Sequence, residues 1–257
     1  IKELKAFRKE YAKPRKTLVE NAAEAVYEEK KIEEMPVVVL MDRFGYVKTV
    51  DEAVYERNKE AADSENRHVI FCMNTDKICI FTNTGQMHLV KVLDMPFGKF
   101  RDKGVPIDNL SNYSSSEEDI VFIGGLGNIK EKKLLFVTKN AMIKLVEGGE
   151  FDVSKRTTAA TKLGEGDSLL SVSPVEETDT MVMQSEKNMF LRIAVSEIPQ
   201  KKTAALGVRG MKLAAKDTLT DVFVIGENEE KIVKIKDKDI YLNRLHVGSR
   251  DTKGVKK

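Results

Sequence analysis

The sequence predicts an all-β protein of about five repeated blades, preceded by a short N-terminal helix and a linker. Three observations lead there. After Pro36 the chain consists of apolar runs of five to seven residues, rich in Val, Ile, Leu, Phe and Met and broken by turns. Five of these runs open the same pattern: an apolar strand, a tight turn, and a second strand bearing a cation. The five copies start at 37, 78, 134, 181 and 232, a spacing that suits one propeller blade of about four strands.

Taken in order, residues 1–12, "IKELKAFRKEYA", place Ile1, Leu4, Phe7 and Tyr11 at helical spacing with Lys and Arg opposite. Pro14 ends this helix. A strand is expected at 16–20, and the charged run that follows reads as a linker, so the boundary falls between 1–31 and a β domain at 32–257. The five hairpins are "VVVLMDRFGYVK" (37–48), "ICIFTNTGQMHLVK" (78–91), "LLFVTKNAMIKLV" (134–146), "MVMQSEKNMFLRIA" (181–194) and "IVKIKDKDIYLNR" (232–244). Their turns are expected at Phe44-Gly45, Thr84-Gly85, Lys139-Asn140, Lys187-Asn188 and Asp237-Lys238. Gly or Asn in four of these suits the positive φ of hairpin turns.

A second part recurs after hairpins two to five: "GKFRDKGVPI" (98–107), "SKRTTAATKL" (154–163), "KKTAALGVRGMKL" (201–213) and "SRDTKGVKK" (249–257). The equivalent place after the first hairpin holds "YERNKEAADSE", which is net acidic and lacks glycine. A further apolar strand follows each of the first four such segments, at 68, 119, 168 and 219. The repeating unit is therefore hairpin, basic segment, strand. A cyclic stack of such units buries one face of every strand against neighbouring blades, which accounts for apolar runs that are nearly unbroken rather than cleanly alternating.

Composition narrows the chemistry. With 43 Lys and Arg against 41 Asp and Glu, the net charge is only +2, so an anionic partner has to be sought in the distribution of charge. Two cysteines, Cys72 and Cys79, make no disulfide framework, and they are expected to face each other across the turn at 74–77. Three histidines, at 68, 88 and 246, have no metal-ligand spacing and read as structural or rim residues. A reduced cytoplasm fits best, no apolar run is long enough to span a membrane, and a start without Met suggests a piece of a longer protein. No phosphate loop, nucleophile elbow or zincin helix occurs. The glycines of "GGLGNIK" (124–130) precede another strand rather than a helix, and so read as an inter-strand loop.

The acidic clusters at 114–119, 176–179 and 227–230 fall in other loops than the basic segments. If each loop type occupies one rim, the disc gains a positive and a negative edge. A cationic perimeter suits a curved polyanion, because each neutralised phosphate releases counterions without reading sequence. Smooth bending of a site of about 20–30 base pairs costs on the order of 1–6 kcal/mol, which several such contacts offset. The candidate DNA-binding residues are Lys99, Arg101 and Lys103; Lys155, Arg156 and Lys162; Lys201, Lys202, Arg209 and Lys212; and Arg250, Lys253, Lys256 and Lys257. Lys48, Lys91, Lys144, Arg192 and Arg244, on the second hairpin strands, are expected to extend the track. The glycines at 104, 207, 210 and 254 are expected to let backbone N–H groups approach phosphate. A propeller serving as a protein-interaction scaffold is the competing reading.

"GYVK", "FTNTGQMHLVKVLDMP" with "RDKGVPIDNL", and "TAALGVRGMKL" resemble the C-terminal domain of the A subunit of bacterial type IIA topoisomerases. The resemblance covers nearly the whole chain and is most specific at 78–110 and 201–213. It implies a β-pinwheel whose blades exchange strands and whose perimeter binds and bends duplex DNA, on an enzyme of the cytoplasmic nucleoid. The helix at 1–12 with "PRKTLVE" is similar to the end of that protein's coiled coil and its return strand. Gyrase A subunits carry QRRGGKG after the first hairpin, where this chain has "RNKEAADSE" (57–65), so it looks more like topoisomerase IV than gyrase. The resemblance places the reactive tyrosine, the A-subunit dimer contacts, and the Mg2+ and ATP held with the B subunit outside this stretch. No tyrosine here follows an arginine, so no catalytic or metal-binding residue and no cofactor is assigned to it.

Overall fold

In the computed structural model, which describes residues 1–13, 33–235 and 238–257, the chain divides into two units, Ile1–Glu33 and Glu34–Lys257. The first contains helix α1 (Lys2–Tyr11), where the i,i+4 spacing brings the Phe7 and Tyr11 rings within 5.8 Å. The strand expected at 16–20, the linker up to residue 31 and Asp237 of the fifth turn lie outside the described residues.

The second unit opens with the hairpin β1 (Pro36–Asp42) and β2 (Tyr46–Asp51), two short helices α2 (Glu52–Arg57) and α3 (Lys59–Glu65), and strand β3 (Asn66–Met73). The next repeat is β4 (Lys77–Thr82), β5 (Gln86–Lys91), β6 (Val105–Pro106) and β7 (Ile120–Gly125). After a single helical turn, α4 (Leu126–Ile129), come β8 (Lys133–Thr138), β9 (Met142–Glu147), β10 (Thr157–Ala159) and β11 (Leu169–Val175). The fourth repeat is β12 (Thr180–Ser185), β13 (Met189–Ala194), β14 (Val208–Arg209) and β15 (Leu219–Ile225); the fifth is β16 (Ile232–Ile235), β17 (Lys238–Tyr241) and β18 (Val255–Lys256).

Among the described residues these strands form four antiparallel four-stranded sheets, ordered β3-β1-β2-β6, β7-β4-β5-β10, β11-β8-β9-β14 and β15-β12-β13-β18, and the two-stranded β16-β17. The outermost strand of each four-stranded sheet belongs to the repeat after it, so each of these four blades is completed by its neighbour. At the other edge, β3 touches β7, β7 touches β11 and β11 touches β15. The trailing strands therefore line the axis and the exchanged strands lie on the perimeter.

Residue alternation decides which neighbour each strand packs against. On β4, Ile78 and Ile80 join Val37, Val39 and Met41 of the first blade, whereas Cys79 and Phe81 join Leu134 and Phe136 of the third. On β8, Leu135 and Val137 pack the other way, against Met181 and Met183. Strands sandwiched in this manner have no polar face, which is the physical reason for the continuous apolar runs. Cys72 and Cys79 accordingly fall in different cores and do not face each other.

The first blade shows how the stack ends. Its free face, Val38, Leu40 and Val50, is covered by Tyr55 and Ala62 of α2 and α3. Tyr55 is 3% exposed, meets Phe71 edge-on at 5.1 Å, and donates its hydroxyl to Asp63 Oδ1 at 2.8 Å. The glycine-free stretch 52–65 is thus an amphipathic lid that closes this face to a further blade.

The four described hairpin turns share one bond, from the N–H of the fourth turn residue back to the first carbonyl: Gly45 to Asp42, Gly85 to Thr82, Ala141 to Thr138 and Asn188 to Ser185. The left-handed residue of each turn is that fourth one, with φ of 81°, 78°, 60° and 58°. In the third hairpin this position is held by Ala141 and not by Asn140.

Candidate nucleic-acid interface

The perimeter segments are held by the blades they complete. The carbonyl of each left-handed turn residue accepts an N–H from the exchanged segment: Gly45 from Ile107 at 2.9 Å, Gly85 from Ala160 at 2.8 Å, Ala141 from Gly210 at 2.8 Å and Asn188 from Lys257 at 3.2 Å. The glycines of these segments serve the same junction. A Cβ on Gly104 would lie 2.4 Å from Val47 O, on Gly207 2.8 Å from Ile143 N, and on Gly254 2.7 Å from Phe190 O. On Gly210 it would sit 2.9 Å from Ile143 Cγ2. They are small so that the exchanged strand can reach the preceding blade.

The polar side chains at one register of the second hairpin strands serve the same junction. Lys48, His88, Lys144 and Arg192 stand opposite Leu40, Ile80, Phe136 and Val182 respectively. Lys144 is 1% exposed, and its Nζ donates to the carbonyls of Lys202 at 3.1 Å, Thr203 at 2.9 Å and Ala205 at 2.9 Å. Burial lowers its pKa from 10.5 to about 8. Lys48 Nζ donates to the carbonyls of Phe100 and, at 2.7 Å, Asp102. Arg192 Nη1 donates to Asn243 O and Leu245 O. His88, buried, contacts Thr157 Oγ1 at 3.1 Å and Glu118 Oε2 at 2.9 Å. Lys144 is therefore an internal clamp rather than part of the track, and Lys48 and Arg192 direct their charge at backbone carbonyls.

The remaining cations lie where the exchange puts them, at the outer edges of successive blades. Arg101 precedes β6, Arg156 precedes β10, Arg209 lies in β14 and Arg250 precedes β18. Lys99, Arg101, Lys103, Lys155, Arg156, Lys162, Lys212, Lys253, Lys256 and Lys257 are exposed and make no ion pair among the described residues. Lys91 shares a crevice with Lys155 and Arg156. The third and fourth exchanged segments adjoin: Asp251 N donates to Gly210 O at 2.8 Å, and Arg250 Nη1 to Arg209 O at 3.4 Å. Lys201 is half-buried, its N–H bonded to Leu145 O.

Acids temper the edge locally. Glu150 pairs with Lys202 at 2.9 Å, Asp251 with Arg209 at 3.6 Å, and Glu230 with Arg244 at 3.1 Å, all solvent-accessible pairs of small energetic weight. The acidic clusters do not form one opposing rim. Residues 176–179 and 227–230 lead from a trailing strand to the next hairpin, while 114–119 lead from the perimeter back to β7. Sequence reading missed Lys238, which lines a groove with Arg244, Lys256 and Lys257, and the turn cations Arg43 and Lys139. The shared turn bond that sets them beside the exchanged segments is visible only once the segments are placed.

The region "GGLGNIK" splits between β7 and the turn α4, whose Leu126 and Ile129 are buried, so it forms no phosphate cradle. Among the described residues, no three His, Cys, Asp or Glu side chains are grouped to hold a metal. None of the described helices is long and apolar enough to cross a membrane.

Four sheets around an axis, each closed by a strand from the next repeat, define the strand-exchanged propeller class, the β-pinwheel. The family described as "DNA gyrase C-terminal domain, beta-propeller" matches residues 132–176 and 179–226, which are the third and fourth hairpins with their trailing strands. The gyrase A protein of Helicobacter pylori strain J99 is 26% identical over 98% of this chain and 33% of its own length. The corresponding A protein of topoisomerase 4 from Streptococcus pneumoniae is 25% identical over 87% of this chain and 29% of its own. The chain thus spans about a third of the relatives it matches. Among solved structures, the C-terminal domain of DNA topoisomerase IV superposes with a TM-score of 0.77 at 22% identity, covering 87% of this chain and 73% of that one. The DNA gyrase A C-terminal domain gives 0.58 at 18% identity, covering 86% and 76%. This chain is thus similar over most of its length to the A subunits of gyrase and topoisomerase IV, and over its third and fourth repeats to the gyrase C-terminal-domain family, in line with the resemblance read from 78–110 and 201–213.

Proposed function

We propose that this domain binds duplex DNA along its perimeter and bends it, positioning the duplex for strand passage by a bacterial enzyme of the topoisomerase IV type. The observation that carries the reading is strand exchange itself, which delivers a cationic segment to the outer edge of each of four successive blades. Contacts of that kind neutralise phosphates along an arc without reading bases. The partners are duplex DNA, the ATPase B subunit, and a second copy of the A protein met through regions outside this chain; Mg2+ and ATP act in the whole enzyme, on the nucleoid in the cytoplasm. The topoisomerase IV branch is favoured because the place of the gyrase box, 57–65, belongs to the acidic lid over the first blade.

Duplex affinity should fall steeply with salt, and the triple variant Lys201→Glu, Lys202→Glu, Arg209→Glu should lower both affinity and the slope of log K against log salt, by about one unit per lost phosphate contact. Unchanged affinity in the variant would favour the scaffold reading. With the full enzyme, decatenation and relaxation are expected; ATP-driven negative supercoiling of relaxed plasmid would assign the domain to gyrase.

A further inference from the structure

The cationic edge carries an exposed aromatic side chain at a turn tip. Phe44, at the tip of the β1–β2 turn, is 87% exposed. Its backbone cannot retreat from that position: Asp42 Oδ1 accepts the N–H groups of both Phe44 at 2.8 Å and Tyr46 at 2.9 Å. The next residue, Gly45, is in the left-handed conformation and receives Ile107 N at its carbonyl, so the turn is fastened to the exchanged segment that carries Arg101 and Lys103. At the equivalent position the other described turns carry Thr84, Asn140 and Lys187, so among the described turns the apolar ring belongs to the first blade.

Phe44 overhangs a cleft of about 620 Å3 shared with Arg43, Tyr46, Lys48, Arg101 and Lys103. Lys103 Nζ stands 4.3 Å from the centre of the Tyr46 ring. Of the three acids that also line the cleft, Asp102 accepts the N–H of Lys99 at 2.8 Å and Asp42 accepts the N–H groups of its own turn, while Glu65 stands at the end of α3. A rigidly mounted ring, projecting into water between cations on a surface that faces a duplex, has the form of the apolar side chains that enter base steps and kink DNA.

We infer that Phe44 is such a wedge: it inserts between base pairs of the duplex held on the perimeter and concentrates part of the bend at the first blade. This rests on the DNA-binding reading above. The ring would stack on the opened step, compensating the base stacking that is lost, while Arg43, Arg101 and Lys103 hold the flanking phosphates.

The chain contains no tryptophan, so Phe44→Trp introduces a single fluorescent reporter at the wedge. Saturating duplex should quench its emission to below about half by stacking with bases, whereas heparin, a polyanion without bases, should leave it unchanged. Duplex binding seen by anisotropy of a labelled strand, with no quenching or with equal quenching by heparin, overturns the wedge while leaving the DNA reading intact; absence of duplex binding overturns both. Phe44→Ala, a surface change, should weaken binding by roughly three- to tenfold. The salt slope should stay the same, since no phosphate contact is removed, and end-to-end energy transfer should report a straighter duplex. An Ala variant that bends DNA as the parent does also refutes the inference.

Discussion

Lys144→Met tests whether the internal cations organise the perimeter. Burial lowers the Lys144 pKa from 10.5 to about 8, so the folded state disfavours the charged amine. Against this stand three bonds from a charged donor to the carbonyls of Lys202, Thr203 and Ala205, each worth about 1.5–3 kcal/mol. Methionine fills the same volume, removes both terms, and strands three carbonyls in a loop that water partly reaches. A net loss of about 1–2 kcal/mol at neutral pH is expected by urea denaturation. Hydrogen exchange should accelerate at Lys201, Thr203 and Ala205, whose N–H groups bond Leu145 O, Glu150 and Lys202 O. The pH dependence has a definite sign. Because the folded pKa lies below the unfolded one, the stability linked to Lys144 is fully present above about 10.5 and is lost as pH falls through about 8. The gap between parent and variant should therefore widen by about 1.3 kcal/mol from pH 7 to pH 9. Cys72 and Cys79, whose thiols burial pushes up to about 12, act in the opposite sense and cancel in the subtraction. A variant as stable as the parent, with unchanged exchange at 201–205 and a flat gap across pH, would show that Lys144 clamps nothing.

Tyr55→Ala should uncover the outer face of the first blade at a cost of about 3–5 kcal/mol and create binding of a hydrophobic dye; Tyr55→Phe, which loses only the bond to Asp63, should cost about 1 kcal/mol. Gly104→Ala puts a Cβ against Val47 O at a positive φ, so it should cost more than about 2 kcal/mol and expose the segment carrying Arg101 and Lys103 to proteolysis. Gly166, at φ 67° with nothing within 4 Å of an added Cβ, is the control, and its Ala variant should lose only about 1 kcal/mol by thermal denaturation. If the two glycine variants prove equally stable, the close approach at Gly104 has no energetic role.

What the sequence disclosed and what it concealed separate along physical lines. Hairpins such as 78–91 were legible because strand and turn chemistry is local: apolar runs, then Gly85 or Asn188 where φ turns positive. The exchange of β6, β10, β14 and β18 was not legible from the residues themselves. Two- or three-residue strands carry no periodicity, and their partners lie 50 or more residues back. For the same reason the recurring Gly and Lys of the repeat pointed toward phosphate, since both residue types suit an anion. The closeness of Val47 O to Gly104, and of three carbonyls to Lys144, shows that these two serve the protein's own backbone. The lid at 52–65 could be recognised as a departure from the repeat, but its apolar stripe is too short to announce what it covers.

Strand exchange also couples the perimeter to the core. A segment such as 201–213 is at once the outer strand of the third blade, through Val208 and Ile143, and a contact of the fourth, through Met211 packed with Met181 and Met183. Pulling on its cations therefore loads the interface between two blades rather than a free loop, as expected where stability resides in nearest-neighbour interfaces. By linkage, duplex held across several blades should stabilise those interfaces by RT ln(1 + [DNA]/Kd), about 2.7 kcal/mol at a hundredfold excess over Kd. That protection should spread to amides of β8 and β12, which lie two strands in from the exchanged edge of their sheets. In hydrogen exchange with and without duplex, protection confined to residues 98–107, 154–163, 201–213 and 249–257 would mean that the segments bind DNA as independent loops and that the exchange has no mechanical consequence.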